Sequence, residues 1–251
     1  MQQFDLTGRT ALVTGGSRGI GGAIVELFAA QGAKVGYCQY GDDANAADLA
    51  ARMAQKGTPV FHTICDVSSP ADVEALAEWS AEALGHVDIL VNCAGIGGDL
   101  PFEDISLQDF DAVMGVNLRG TFMVTQKFYP AMAARGWGRI INFASQLAYK
   151  GAPGLTHYCA AKAGIVGLTR SLAYEAAPKG VTVNAIAPGP VETHILMGLS
   201  DEWRAMKKAQ LPIGRFGRVD EIAPTALLLA SEAGSFFIGQ SLSPNGGDVL
   251  L

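Results

Sequence analysis

Short apolar runs alternate along this chain with longer stretches in which apolar residues recur at helical spacing. The short runs fall at residues 10–14, 34–39, 60–65, 89–92, 139–144, 182–186 and 241–243. Several are nearly continuous in Val, Ile, Leu and Ala, the pattern of strands covered on both faces. Helical patterns occupy 21–31, 44–56, 71–84, 107–135 and 158–177. Alternation of β and α over the whole length predicts an α/β fold: a parallel, doubly wound, Rossmann-like sheet of about seven strands with helices on both faces. Right-handed crossovers leave few other ways to connect such elements. No repeat or linker interrupts the pattern, so residues 1–251 read as one domain.

One stretch breaks the alternation. Residues 189–217 carry Pro190, Pro212, Gly198, Gly214 and Gly217 and no strand pattern. Their helical patches hold Ile195, Leu196, Met197, Trp203 and Met206, apolar residues with no evident sheet to cover. This segment reads as a lid over a substrate site.

Composition narrows the class. Hydrophobic residues make up 49% and charged residues 17%, as in a folded, core-rich protein. A net charge of −6 argues against nucleic acid as the main partner. No apolar stretch reaches the roughly 18 residues that span a bilayer. The first residues lack the basic and apolar regions of a signal peptide. A cytoplasmic location is the expectation, with no membrane partner. Cys38, Cys65, Cys93 and Cys159 are too widely spaced for a zinc pattern and read as reduced thiols. The four histidines form no metal motif, so no metal is expected.

Two sites carry chemistry. Strand 10–14 runs into Gly15-Gly16-Ser17-Arg18-Gly19-Ile20-Gly21, with a helix directly behind it. Glycines there permit a tight turn and close approach to a pyrophosphate, and the helix start supplies free N–H groups. Further on, Tyr158 and Lys162 stand at i and i+4, on one helix face, with Ser145 thirteen residues before the tyrosine. An ammonium beside a phenol favours the phenolate and makes tyrosine a better proton shuttle. Ser145 lacks the flanking glycines of a hydrolase nucleophile.

Together with Asn92-Cys93-Ala94-Gly95 after the fourth strand and Asn117 within a long helix, these motifs resemble the short-chain dehydrogenase/reductase family over nearly the whole chain. Within it, the chain is similar to bacterial 3-oxoacyl-acyl-carrier-protein reductases and related carbonyl reductases. The resemblance implies an oxidoreductase that interconverts a ketone and a secondary alcohol with NAD(P). The catalytic set would be Asn117, Ser145, Tyr158 and Lys162. Tyr158 would protonate the forming alkoxide, and Ser145 would hold the same oxygen. Lys162 would bond the nicotinamide ribose and lower the tyrosine pKa. Asn117 would perturb its helix and hold a water linked to Lys162.

The resemblance also assigns a dinucleotide site. Gly15, Ser17, Arg18, Gly19, Ile20 and Gly21 would cradle the phosphates, Asp66 and Val67 the adenine, and Asn92, Ala94 and Gly95 the ribose. Pro188, Gly189, Val191 and Thr193 would hold the carboxamide. Cys93 departs from the family, which commonly has a second asparagine there. Gln39 stands at the end of the second strand, where an NAD enzyme would carry an acid. That neutral residue and Arg18 favour NADP(H). The alternative, NAD(H), rests on Asp42 and Asp43, which would repel a 2′-phosphate.

The substrate wall would include Ile96, Gly97, Gln146, Ala148, Gly151, Ala152, Pro153 and His157, mostly apolar with Gln146 and His157 as polar contacts. His157 reads first as an ordinary helix-start residue and only second as a polar contact of the site. Ser145, Gln146 and Tyr158 would touch the substrate, a small carbonyl compound or alcohol. A sugar or polyol dehydrogenase using NAD is the other enzymatic reading. A catalytically idle, nucleotide-binding interaction protein is opposed by the presence of all four catalytic residues. Lys207, Lys208, Arg215 and Arg218 read as a solvated face or as a dock for an acidic carrier. The apolar surplus on 107–135 (Phe110 and Phe122 among others) and the family habit imply a homotetramer.

Overall fold

The computed structural model describes residues 2–250. Seven strands form one parallel sheet in the order β3-β2-β1-β4-β5-β6-β7. They are β1 (Thr10–Thr14), β2 (Lys34–Gln39), β3 (Phe61–Ile64), β4 (Ile89–Asn92), β5 (Gly138–Phe143), β6 (Val181–Ile186) and β7 (Ser241–Leu242). Each coincides with a predicted run, shifted by a residue or two at its ends. Strands β1, β4, β5 and β6 are fully buried. β3 differs: it lies at the sheet edge, with Phe61 and Ile64 exposed.

Side-chain alternation divides the core. Ala11, Val13, Val35 and Tyr37 face a cluster completed by α1 (Gly19–Ala30), α2 (Ala44–Gln55) and α10 (Val219–Ala230). Leu12, Leu90, Ile140 and Val183 face the opposite cluster, covered by α3 (Pro70–Leu84), α5 (Thr121–Arg135) and α7 (Thr156–Ala176). The helices between the strands are α4 (Leu107–Met114), α6 (Leu147–Lys150), α8 (His194–Met197) and α9 (Asp201–Gln210). Strand order reverses between β1 and β4, so the carboxyl ends of these strands open a crevice, the usual ligand position in such sheets.

The helix expected over 107–135 is not continuous. A π-helical turn, Gly115–Gly120, separates α4 from α5. The Thr121 hydroxyl donates to the Asn117 carbonyl at 2.8 Å, and the Asn117 amide donates to the Val113 carbonyl at 3.0 Å. Side-chain bonds thus compete with the backbone ladder where the turn widens.

The excursion at 189–217 has its ends tied together. Val191 bridges Gly217, Glu192 N–H donates to the Gly217 carbonyl at 2.9 Å, and Gly217 N–H donates to that of Pro190 at 3.0 Å. Leu196, Leu211 and Phe216 form a buried cluster of their own, with Trp203 against it. The expectation of uncovered apolar residues is therefore corrected for Leu196 and Trp203, which this cluster shelters, while Met197 and Met206 are half exposed. The side chain of Ile195 lies outside the described residues. No described helix is long and apolar enough to cross a membrane.

Candidate active site

The glycine loop leaves β1 and enters α1 with little room for side chains. A Cβ on Gly15 would stand 2.8 Å from the Ala94 Cα, and one on Gly21 would stand 2.2 Å from the Gly15 carbonyl oxygen. Gly15 and Gly19 take φ of +67° and +59°, where other residues are strained. The Thr14 hydroxyl accepts from Cys93 N–H and Ala94 N–H, both at 3.1 Å, and so pins residues 93–94 to the loop. Arg18 precedes α1 without capping it and is exposed. Gly19 lies near Thr193 across the crevice, 3.7 Å from its methyl group to an added Cβ.

The adenosine end is more crowded than expected. Ser17 is buried, and its hydroxyl donates to the Asp43 carboxylate at 2.6 Å. Asp43 also caps α2 through Asn45 N–H. Burial raises the Asp43 pKa, but bonds from Ser17 and Asn45 and the charge of Arg18 outweigh it, so the net direction is down. Gln39 is buried beside His62, and its amide oxygen has no protein partner. Asp66 accepts from Ser68 N–H and Oγ at 2.8 and 2.7 Å, with Val67 buried beside it. Asn92 turns inward and donates to Thr125 Oγ1 and Asn142 Oδ1 at 2.9 and 2.8 Å, binding β4 to α5 and β5.

At the chemical end, α7 places Tyr158 and Lys162 one turn apart, and β5 delivers Ser145 just past its carboxyl end. Asn117 is wholly buried in the π turn, with its Nδ2 bonded to the Ile96 carbonyl at 2.9 Å. Gly95 makes this arrangement feasible. Its Cβ would stand 2.8 Å from Asn117 Oδ1 and 3.5 Å from Lys162 Nζ. The four residues expected to act together therefore converge. Lys162 Nζ donates to the Phe143 carbonyl at 2.8 Å and lies 5.6 Å from the Tyr158 ring centroid.

The electrostatics differ from the expectation of a tyrosine softened by lysine. Burial pushes the Tyr158 phenol up to about 12, and its hydrogen bond with Ser145 only partly offsets this. Burial also pushes Lys162 down to about 8, with Cys93 acting weakly in the other direction. Desolvation dominates both groups because the protein's own atoms surround them closely.

Pro188 and Gly189 pass beside this cluster. The Pro188 carbonyl accepts from Gln146 N–H at 3.0 Å, and a Cβ on Gly189 would stand 2.6 Å from the Asn245 Cα. The cations near the excursion are engaged within the chain. Arg215 pairs with Glu221 and Arg218 with Asp220, Lys207 bonds Asp248, and Lys208 lies over the Phe216 ring. Asp248 was missed by sequence reasoning, because no local pattern links it to residues a hundred positions earlier. No group of three or more metal-binding side chains occurs among the described residues.

A parallel sheet with this strand order, a glycine-lined crevice and a converging Ser, Tyr, Lys and Asn describe a nucleotide-dependent oxidoreductase. Comparison with known proteins agrees. The family model described as enoyl-(acyl carrier protein) reductase matches residues 15–248. The chain belongs to the short-chain dehydrogenase/reductase family, whose members bind NAD(P) and act on CH–OH or carbonyl groups. It is 40% identical to the 3-oxoacyl-(acyl-carrier-protein) reductase of Aquifex aeolicus, over 98% of this chain and 99% of that one. It is 43% identical to the acetoacetyl-CoA reductase of Rhizobium meliloti, over 95% and 98%. Among solved structures, a gluconate 5-dehydrogenase from Burkholderia cenocepacia in complex with NADP and tartrate superposes with a TM-score of 0.92 at 36% identity, covering 98% of this chain and 97% of that one.

Proposed function

We propose that the enzyme interconverts a ketone and a secondary alcohol with NAD(P), using Ser145, Tyr158, Lys162 and Asn117. The observation that carries this is the convergence of these four side chains behind Gly95, at the mouth of the glycine-lined crevice. The dinucleotide fits the residues present: Cβ atoms on Gly15 and Gly21 would strike neighbouring backbone, so this turn stays bare of side chains, and the buried Gln39 amide oxygen has no protein partner. Gly15, Ser17, Arg18, Gly19, Ile20 and Gly21 would hold the phosphates, Asp66 and Val67 the adenine, Ala94 and Gly95 the ribose, and Gly189, Val191 and Thr193 the carboxamide. When bound, it supplies or takes up the hydride at the substrate carbon.

The chain's own residues manage the oxygen and the proton. In reduction, the Tyr158 O–H bond breaks as the substrate O–H bond forms. Ser145 donates a hydrogen bond to the same oxygen as charge gathers there. A phenol near 12 holds its proton at neutral pH, and the phenolate left behind is strongly basic. Lys162, near 8, is the adjacent acid that replaces the proton. Asn117 Oδ1, buried beside Gly95 without a protein partner, would hold a water that links Lys162 to solvent.

Arg18 and the neutral Gln39 favour NADP(H). The bond between Ser17 and Asp43 favours NAD(H) as the second reading, since a carboxylate stands where a 2′-phosphate would approach Arg18. Residues 189–217, hinged where Val191 meets Gly217, act as a lid of the single domain. Phe110 and Phe122 are exposed, and Phe122 lines a surface cleft of about 620 Å³ with Met114, Leu118, Leu168, Asp111 and Arg119, which supports a homotetramer joined through the α4–α5 face. A cytoplasmic, small-molecule enzyme accords with these features.

The test is carbonyl-dependent loss of NADPH or NADH absorbance across ketones, 3-oxoacyl thioesters and hydroxyketones. Turnover is expected with at least one class, and none with either dinucleotide would overturn the reading. Asp43→Ser keeps a capping residue on α2 while removing the charge. It is expected to shift preference toward NADPH by about 10-fold, equivalent to about 1.4 kcal/mol. An unchanged ratio would remove Asp43 from the cofactor argument.

A further inference from the structure

We propose that Asp248 is a positioning residue that latches the excursion at 189–217, its carboxylate joining Lys207 of α9 to the segment that carries Ser145. The inference rests on Ser145 and Tyr158 being the reacting pair and on the excursion acting as a lid.

Three parts of the chain meet at this carboxylate. Gln146, the residue after Ser145, donates from Nε2 to Oδ2. Lys150 Nζ, at the end of α6, reaches Oδ1 at 2.7 Å, and Lys207 Nζ reaches Oδ1 and Oδ2 at 2.9 and 2.8 Å. The Lys207 and Asp248 side chains are 12% and 5% exposed, so solvent and salt screen their attraction little. Burial works to raise the carboxyl pKa, but the bonds from Lys150, Lys207 and Gln146 prevail and keep it low. The backbone beside Asp248 continues the join. Gly189 N–H donates to the Pro244 carbonyl at 3.1 Å, and Ile213 N–H donates to that of Gly246 at 3.2 Å. Residues 244–248 thus bond both the outgoing and the returning limb of the excursion.

The partners of Asp248 are unequal. Gln146 and Lys150 belong to the catalytic side. Gln146 N–H is bonded to the Pro188 carbonyl, and the Ser145 hydroxyl accepts from Leu147 N–H, at the start of α6, at 3.1 Å. Lys207 belongs to α9, whose other side-chain bonds stay within the excursion: Arg204 bonds Asp201 and the Met197 carbonyl. Among the described residues, no other α9 side chain hydrogen-bonds outside 189–217. Moving α9 away therefore breaks one ion pair but leaves Asp248 neutralised by Lys150 and bonded to Gln146. A buried carboxylate that lost its only cation would be left uncompensated, a strong block to opening. The second lysine removes that block. The pair holds the lid while it is closed and releases it without stranding a charge. Because the same carboxylate fixes the amide next to Ser145, lid and serine share one anchor.

The experiment uses the full-length enzyme with two readouts. One is hydrogen exchange of the α9 amides. The other is steady-state kinetics with the carbonyl compound it reduces fastest among ketones, 3-oxoacyl thioesters and hydroxyketones. Lys207→Met keeps the stem but removes the charge, and should speed α9 exchange about 10-fold. Its KM should rise several-fold while kcat stays within about twofold of wild type. Lys207→Arg keeps the ion pair and should restore both. Asp248→Asn keeps the shape without the charge and should speed α9 exchange as much as Lys207→Met. The double variant should be no faster than either single one, because each removes the same interaction. A merely structural pair would instead lower the denaturant midpoint and quicken exchange in β5 and α7 as well. That result, unchanged α9 exchange in Lys207→Met, additive effects in the double variant, or a KM unmoved while α9 exchange quickens would overturn the inference. Absence of turnover with every carbonyl, with α9 exchange responding as expected, would instead overturn the reading of the site and leave the ion pair as the hold on α9.

Discussion

The cluster around Tyr158 and the excursion at 189–217 face the same crevice but are built on different terms. The cluster stands on strand ends and on the longest helix, packed so closely that Gly95 has no room for a methyl group. Its price is electrostatic, because burial holds Tyr158 near 12 and Lys162 near 8. The excursion rests on the buried cluster of Leu196, Leu211 and Phe216, closes on itself at Val191 and Gly217, and exposes most of α9. Regions that must position a proton within a fraction of an ångström are drawn from the stable core. Regions that admit and release ligand are drawn from the weakly held periphery. Variants should separate the two by which quantity they change.

The largest effect belongs to the cluster. Tyr158→Phe removes the proton donor but keeps the ring, and should lower kcat by about 10²- to 10⁴-fold. Dinucleotide binding, followed by fluorescence quenching, should be nearly unchanged. Turnover that survived this variant would break the assignment of Tyr158 and, with it, the contrast between the two regions.

Lys162→Met tests the electrostatic cost directly. In the folded protein Lys162 titrates near 8 rather than at its ordinary 10.5. Between these values the unfolded lysine holds a proton that the folded one has released, so stability rises with pH across that window. Below pH 8 the full cost of about 3 kcal/mol is present. The variant should be inactive yet more stable at neutral pH, by up to that amount less the lost bond to the Phe143 carbonyl. Its stability should also lose the rise between pH 8 and 10, measured by denaturant unfolding below the range where Tyr158 titrates. A variant less stable than wild type at pH 7 would show that the ammonium is well solvated there.

The same division explains what could be read from the sequence. The central strands were legible because covered strands are mostly apolar along their length, whereas the edge strands β3 and β7 were legible from their place in the β–α alternation. So was the pairing of Tyr158 with Lys162, since helical spacing alone puts them on one face. The break at 115–120 was visible only through Asn117, whose side-chain bonds open the turn. The direction of the Tyr158 shift was not legible. Spacing brings an ammonium near the phenol, but desolvation decides the sign, and desolvation depends on what the rest of the fold packs around them. Asp248 was equally hidden. It meets Gln146 across 102 positions, and only the folded chain brings Lys150 and Lys207 to the same carboxylate. The cluster of Leu196, Leu211 and Phe216 was not legible, because three side chains this far apart make no periodic pattern.

The smallest effect on global stability is expected in that cluster. Phe216 is almost fully buried, and a phenylalanine-to-alanine change in a main core costs about 3–5 kcal/mol. In the excursion, most of that loss should appear as local opening, because the sheet and its two covering layers do not depend on it. Phe216→Ala should therefore shift the denaturant midpoint by less than about 1 kcal/mol equivalent, yet speed hydrogen exchange of the α8 and α9 amides. KM should rise several-fold while kcat for bound substrate falls little, since Tyr158 and Lys162 keep their supports on α7. A full core-sized loss of global stability would mean that residues 189–217 fold cooperatively with the sheet. The two regions would then differ in exposure alone, and the weak attachment that lets one of them move would have to be sought at Lys207 and Asp248 instead.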